Sequence, residues 1–181
     1  MKLHLKNARL AFPAIFEPKS VAGEEPAFSA SLIIPPDHPQ MAEINEAIEA
    51  VAKEKWGAKA AEQLKAMRAK GNVCLHDGDE KANYDGFEGN FYVSSRSKTR
   101  PLVLDRDKSP LTQSDGRPYG GCYVYASLEL WAQDNQFGKR VNAQLKGVQF
   151  YRDGDAFSGG APADESDFDD LTEGADAGEL A

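Results

Sequence analysis

Between Tyr92 and Arg100 the sequence reads Tyr-Val-Ser-Ser-Arg-Ser-Lys-Thr-Arg, and its alternate residues all carry groups able to meet a polyanion. In an extended backbone successive side chains point to opposite faces, so Tyr92, Ser94, Arg96, Lys98 and Arg100 share one face. The three cations then stand about 7 Å apart, close to the separation of successive phosphates on an extended single strand. Ser94 adds a hydroxyl for a phosphate oxygen, and Tyr92 offers a flat face to a base. A solvated strand face also carries Lys and Arg, but it usually mixes signs, and this one does not. Arg106 and Lys108 continue the positive charge into the following loop.

A second surface is aromatic. In the alternating run from Cys122 to Trp131, Tyr123, Tyr125 and Trp131 oppose Cys122, Val124 and Leu128, and Tyr119 precedes them. Aromatic side chains stack on any base, so Tyr119, Tyr123 and Tyr125 join Tyr92 as candidate stackers. Tyr and Trp are also common barrel-core residues, and Trp131 suits a place beneath a helix. Phe137-Gly138-Lys139-Arg140 reads as a hairpin tip. Its two cations could clamp a strand or belong to an ordinary exposed turn.

Catalytic chemistry finds little support. His4, His38 and His76 lie in unrelated settings, and Cys74 and Cys122 lack the partners a zinc site needs. The stretch from Asp77 to Asp85 suggests calcium, but Lys81 and Ala82 stand where an EF-hand loop needs a ligand and a glycine. A nuclease using Asp77, Asp79 and Asp85 would require further metal ligands that the sequence does not advertise. No nucleotide-binding glycine loop or nucleophile elbow occurs. The expectation is a protein without catalysis, metal or cofactor.

The elements that must position these residues follow from patterning. Strands are predicted from about Leu3 to Leu10, broken at Phe12-Pro13 and Glu17-Pro18, and from Ala27 to Ile34. Asp37 is a fair helix cap, and Met41, Ile44, Ile48 and Val51 recur at helical spacing. A second helical segment through Leu64 and Met67 ends at Gly71, and this helical pair reads as scaffold. Further strands are expected at Val73–Leu75, Phe91–Leu104, Cys122–Trp131 and about Val141–Tyr151, separated by loops over 76–89 and 105–121. Without a βαβ rhythm, the pattern points to a mostly β protein, an OB-like antiparallel five-stranded barrel with a helical insert.

Charge divides the chain. Residues 153–181 hold ten acids and no Lys or Arg, which leaves nineteen acids against twenty-one bases in residues 1–152. The net charge of −8 therefore conceals a body near +2 and a tail of −10. A like-charged block with few large apolar residues cannot offset its ordering entropy. The expected division is a folded domain over 1–152 and a disordered acidic tail over 153–181. Within the tail, Asp167-Phe168-Asp169-Asp170-Leu171 suits a basic, apolar-floored pocket, although a solubility tail would look much the same. A polyanionic tail can mimic a polyanionic ligand, so nucleic acid leads the candidate partners. No run is long enough to span a membrane, and the start lacks the apolar stretch of a signal peptide. Buried reduced thiols and a cytoplasmic setting, the host's if the gene is a phage's, are expected.

The ordered set of segments resembles a family of tailed-phage single-stranded DNA-binding proteins. The likeness is carried by residues 5–18, Phe28–Pro35, Asp77–Glu80, Tyr84–Phe87, Ser94–Pro101, Tyr119–Val124, Gly147–Phe150 and the tail motif. It implies an OB fold and non-sequence-specific binding of single-stranded DNA in phage replication and recombination. It also implies a tail that contacts replication proteins such as a DNA polymerase or helicase. The tail departs from many such proteins by ending Glu179-Leu180-Ala181 without an aromatic residue, and Phe168 is the natural substitute. The tail is expected to compete with DNA for the positive groove. Self-association is compatible with this reading. The alternative is a protein–protein interaction module that binds no nucleic acid.

Overall fold

The structure, a computed structural model, describes residues 1–20, 22–157, 168–169 and 171–172. Strands β1 (Lys2–Lys19), β2 (Ala27–Ile34), β4 (Phe91–Ser97), β6 (Tyr123–Asn135) and β7 (Gly138–Arg152) form a closed ring. Short β3 (Leu75–Asp77) pairs with β4, and short β5 (Leu102–Leu104) pairs with β7. Neighbours around the ring are antiparallel except at the closure, where β4 meets β7 in parallel at Arg96 and Gln144. This is the expected OB-like barrel. The parallel closure follows from the strand count, because a closed ring of five strands cannot alternate direction at every neighbour.

Alternation explains the strands: Leu3 and Leu5 in β1, and Val124, Ala126, Leu128 and Leu130 in β6, all point into the core. Helices α1 (Met41–Trp56) and α2 (Ala60–Ala69) cover one end, burying Ile44, Ile48 and Val51 with Leu64 and Met67. The first helix starts at Met41 with Gln40 at the cap position, so Asp37 does not cap it. Cys74 and Cys122 are buried free thiols, pushed up by burial to about 12 and about 11, which keeps both protonated and unreactive near neutrality.

Several boundaries differ from the sequence reading, among them β3, which lies at Leu75–Asp77 rather than Val73–Leu75, and β6, which runs past Trp131 to Asn135. β1 continues through Pro13 and Pro18, because the ladder to β2 is irregular between Ala11 and Ala14 and again before Lys19. Proline's missing donor is not required there. β4 stops at Ser97, ahead of the expected break at Pro101. The packed body also passes Arg152. Phe157 N–H donates to Gly120 O at 3.0 Å, and the Phe157 ring lies against the small cluster of Ala11, Ile33, Phe87 and Tyr92. Residues 153–157 are thus part of the body, held by an aromatic anchor that the acidic composition concealed. Of the tail motif, Phe168, Asp169 and Leu171 are exposed, while Asp167 and Asp170 lie outside the described residues.

Candidate nucleic-acid interface

Pairing of β1, β6 and β7 builds a strip of rings and guanidinium groups on the outer face of the barrel. Arg9 pairs with Tyr123 across β1 and β6, and Tyr123 pairs with Arg152 across β6 and β7. The Arg152 guanidinium lies 3.8 Å from the centre of the Tyr123 ring, and that of Arg9 lies 5.7 Å from it. Farther along, Tyr151 and Tyr125 meet at 5.1 Å, and His4 contacts Tyr125 edge-on at 5.9 Å. The cation over one face of Tyr123 holds both groups in place. Among the described residues, the neighbouring Tyr125 and Tyr151 rings carry no such close cation and remain open to a ligand. A nucleobase can stack or wedge here, and its phosphates would find two fixed cations.

An open cleft of about 740 Å³ adjoins the strip, lined by Lys6, Asn7, Arg9, His38, Tyr123 and Arg152 among others. Its β1 wall is shaped by a left-handed Asn7 at φ 54°. Lys6 N–H donates to Gln40 Oε1 at 2.7 Å, Gln40 Nε2 donates to His4 O at 2.8 Å, and His38 Nε2 lies 2.8 Å from Lys6 O. His38 Nδ1 accepts the Gln40 N–H at 3.1 Å, so a neutral ring protonated on Nε2 satisfies both contacts. The segment leading into α1 therefore splints the irregularity in β1 that aims Lys6 and Arg9.

The start of the tail crosses the same strip. Arg9 donates from Nε to Gly121 O at 2.9 Å and from Nη2 to Asp155 O at 2.8 Å, while its guanidinium sits 4.4 Å from the Phe157 ring centre. Tyr119, half-buried, donates its hydroxyl to the Asp153 carboxylate at 2.7 Å and accepts the Gly154 N–H at 3.3 Å. Burial, reinforced by the Asp153 carboxylate, raises the Tyr119 phenol. Tyr119 thus anchors residues 153–154, and its hydroxyl is already engaged.

Of the Tyr92–Arg100 row, Tyr92, Ser94 and Arg96 alternate along β4, which ends at Ser97, so Lys98 and Arg100 fall beyond the strand. Tyr92 is only 5% exposed, stacked on His76 at 4.8 Å and met edge-on by Phe87 at 5.1 Å. The loop over 78–90 folds across it, with Lys81 Nζ 5.0 Å from its ring centre. The plug, Phe87, sits in a loop otherwise rich in Asp, Gly and Asn, which is why the sequence read as open. Ser94 is tied to His76 at 3.0 Å. Arg96 is exposed but paired to Glu24 at 3.1 Å, and Lys98, on the bend after β4, is paired to Glu25 at 3.0 Å. The loop between β1 and β2 therefore supplies two carboxylates where phosphates were expected. Arg100 lies 5.8 Å from the Phe28 ring centre.

The remaining cations are dispersed. Arg106 lies 5.5 Å from the Phe150 ring centre, beside Arg117, which donates to Asp105 at 2.6 Å. Lys108 turns outward in the tight loop after Asp105, at φ 69°. Lys139 and Arg140 stand on the hairpin, at the end of β6 remote from Tyr123. Trp131 is 45% exposed rather than covered by a helix. The carboxylates of Asp77 and Asp79 accept the N–H groups of Asp79 and Gly89, fastening their own loop. Among the described residues no group of three or more His, Cys, Asp or Glu side chains could hold a metal ion. No helix of the described residues is long and apolar enough to cross a membrane.

Of the residues that sequence reasoning named, Tyr123 and Tyr125 fall on the strip; Arg9, Arg152, Tyr151 and His4 were missed. Nothing in the local sequence sets Arg9 and Arg152 apart from the other cations of their strands, and only cross-strand register brings both to Tyr123.

Known proteins resemble the chain over most of its length. The family model described as Enterobacter phage Enc34, ssDNA-binding protein, matches residues 1–180. Protein p50 of Acyrthosiphon pisum secondary endosymbiont phage 1 is 49% identical over 176 residues, 95% of each chain. The solved single-stranded DNA-binding protein from bacteriophage Enc34, in complex with ssDNA, superposes with a TM-score of 0.74 at 29% identity, covering 86% of this chain and 88% of that one. The fold alone is shared with gp2.5, a single-stranded DNA-binding protein encoded by bacteriophage T7, at a TM-score of 0.59 and 14% identity over 98% and 96% of the two chains.

Proposed function

Because the chain belongs to the family of the Enterobacter phage Enc34 single-stranded DNA-binding protein, we propose that it coats single-stranded DNA without sequence preference, during phage replication and recombination in the host cytoplasm. The observation that carries this reading is the strip in which Arg9 and Arg152 flank Tyr123, with Tyr125 and Tyr151 beyond. Arg9, Arg152 and Lys6 neutralise phosphates and release counterions, so affinity falls steeply with salt. Tyr123, Tyr125 and Tyr151 accept bases at about 1–3 kcal/mol each. Arg106 and Lys108 on one side, and Arg96, Lys98 and Arg100 on another, extend the path for the phosphates. The carboxylates of Glu24 and Glu25 must then yield to DNA.

The body runs to Phe157 and the acidic tail follows it. Contacts of Arg9 with Asp155 and Phe157 lead the chain onto the strip, which supports competition by the acidic residues that follow Phe157. When DNA displaces it, the motif around Phe168 recruits replication proteins. The test is tyrosine and tryptophan fluorescence titrated with unlabelled oligo-dT at low and moderate salt, with duplex of equal length as control. The full chain is compared with a chain ending at Phe157. Salt-sensitive quenching by oligo-dT, tighter without the tail, is the expected result. No binding by either chain at any salt overturns the reading and leaves a protein-interaction module in its place.

A further inference from the structure

Two exposed aromatic surfaces lie outside the strip. At the β6–β7 tip, Phe137 is 74% exposed, and Lys139 and Arg140 follow it. The ladder continues to Asn135 and Gly138, and Asn135 Oδ1 accepts the Phe137 N–H at 2.9 Å, so the tip is fixed. Neither cation makes an ion pair among the described residues. At the other surface, Phe12 and Tyr84 are 51% and 48% exposed and meet edge to face at 5.1 Å. Phe12 holds φ at 47°, a left-handed conformation that bulky residues avoid, and that conformation keeps its ring beside Tyr84.

The two surfaces are complementary in charge. Exposed Glu80 and Glu88 stand four residues to either side of Tyr84 in its loop, and Lys81 of the same loop is turned onto the rings of Phe12 and Tyr92. That surround repels DNA phosphates and the acidic tail alike, while it attracts an aromatic tip carrying two cations. They are also far apart. β6 runs thirteen residues from Tyr123, which pairs with Arg9, to the tip, and Phe12 lies beyond Arg9 at the opposite end. The separation is about 40 Å of strand, so the tip cannot reach its own Phe12–Tyr84 surface.

We propose that the β6–β7 tip of one copy docks on the Phe12–Tyr84 surface of a second copy, chaining copies head to tail. Such a contact joins unlike surfaces and need not close, which suits an open array along a linear strand. Chaining along DNA rests on the DNA-binding reading above, and the experiment separates the two. Full-length protein is titrated onto an oligo-dT that holds one copy and onto poly-dT that holds many. Binding per copy to poly-dT is expected to be tighter by a coupling factor of about 5–150. Phe137→Ala lowers that factor toward one.

Two charge reversals complete the test. Lys139→Glu/Arg140→Glu and Glu80→Lys/Glu88→Lys each abolish cooperativity alone. An equal mixture restores it, because every tip then finds a surface of opposite charge on the other variant. Loss of a phosphate contact cannot produce that recovery, and the single-copy oligonucleotide reports such a loss separately. Wild-type protein that binds the short oligonucleotide but fills poly-dT without cooperativity overturns chaining and leaves DNA binding standing. Failure of the mixture to recover also overturns it, as expected if the surface serves a foreign basic partner. No binding to either DNA overturns the DNA reading itself.

Discussion

Tyr92 and Tyr123 carry the same side chain and the same sequence-level case for stacking on a base, yet the fold gives them opposite prospects. Tyr123 is half-buried on the strip, with Arg152 at 3.8 Å holding one face. Its replacement by Ala removes a stacking platform worth about 1–3 kcal/mol, or roughly a 5- to 150-fold loss of affinity. Tyr92 is 5% exposed between His76 and Phe87. Truncating a buried ring of that size costs about 3–5 kcal/mol of stability. At roughly 2–4 °C per kcal/mol for a domain of this length, the melting temperature should fall by about 6–20 °C. The assay is oligo-dT titration at 15 °C beside thermal unfolding, for Tyr123→Ala, Tyr123→Phe and Tyr92→Ala. Tyr123→Phe keeps the ring and should bind like wild type, whereas Tyr92→Ala should melt early yet bind within a few-fold of wild type while folded. The reasoning fails if Tyr123→Ala binds within twofold of wild type, or if Tyr92→Ala loses affinity with an unchanged melting temperature.

Glu24→Gln/Glu25→Gln releases Arg96 and Lys98 and should tighten oligo-dT binding about two- to fivefold, with little change in melting temperature because both pairs are exposed; titration beside a thermal melt checks it. Gly86 sits at φ 85°, and a Cβ there would meet the Phe157 ring at 2.7 Å. Gly86→Ala should therefore destabilise the protein by about 1–2 kcal/mol and make residues after Arg152 more accessible to limited proteolysis. Burial lowers the His76 pKa, so the unfolded chain takes up a proton there before the native state does. Stability from this group is complete above about pH 6.5, the unfolded value, and is lost as pH falls toward the folded value. Urea denaturation at pH 7.5 and 5.5 should show a smaller acid-induced loss for His76→Gln than for wild type.

Much of the barrel was legible because it rests on local periodicity. Alternation in Cys122 to Leu130 and the three- and four-residue steps from Met41 to Val51 each specify one buried face, whatever the neighbours are. Charge segregation also shows in the linear chain, since it is a sum over residues. The prolines of β1 misled for a definable reason. A missing donor breaks a regular ladder but not one already shifted at that point, and the shift is a property of the pair β1–β2. Resemblance of the ordered motifs pointed to the family before any side chain was placed.

Tertiary structure decided which rings and cations are exposed and which are covered or paired. Tyr92 is covered because Phe87, a nearby loop residue, folds over it, and Arg96 and Lys98 are met by carboxylates some seventy residues earlier in the chain. Arg9, Tyr123 and Arg152 come together only when three strands are laid in register. The Arg9 contact with Phe157 likewise shows that the acidic tail begins as part of the body. Period and composition are properties of consecutive residues, so the sequence by itself determined the elements, the charge split and the class of ligand. Which side chains meet depends on strand register and loop closure between distant segments, and no local pattern encodes it.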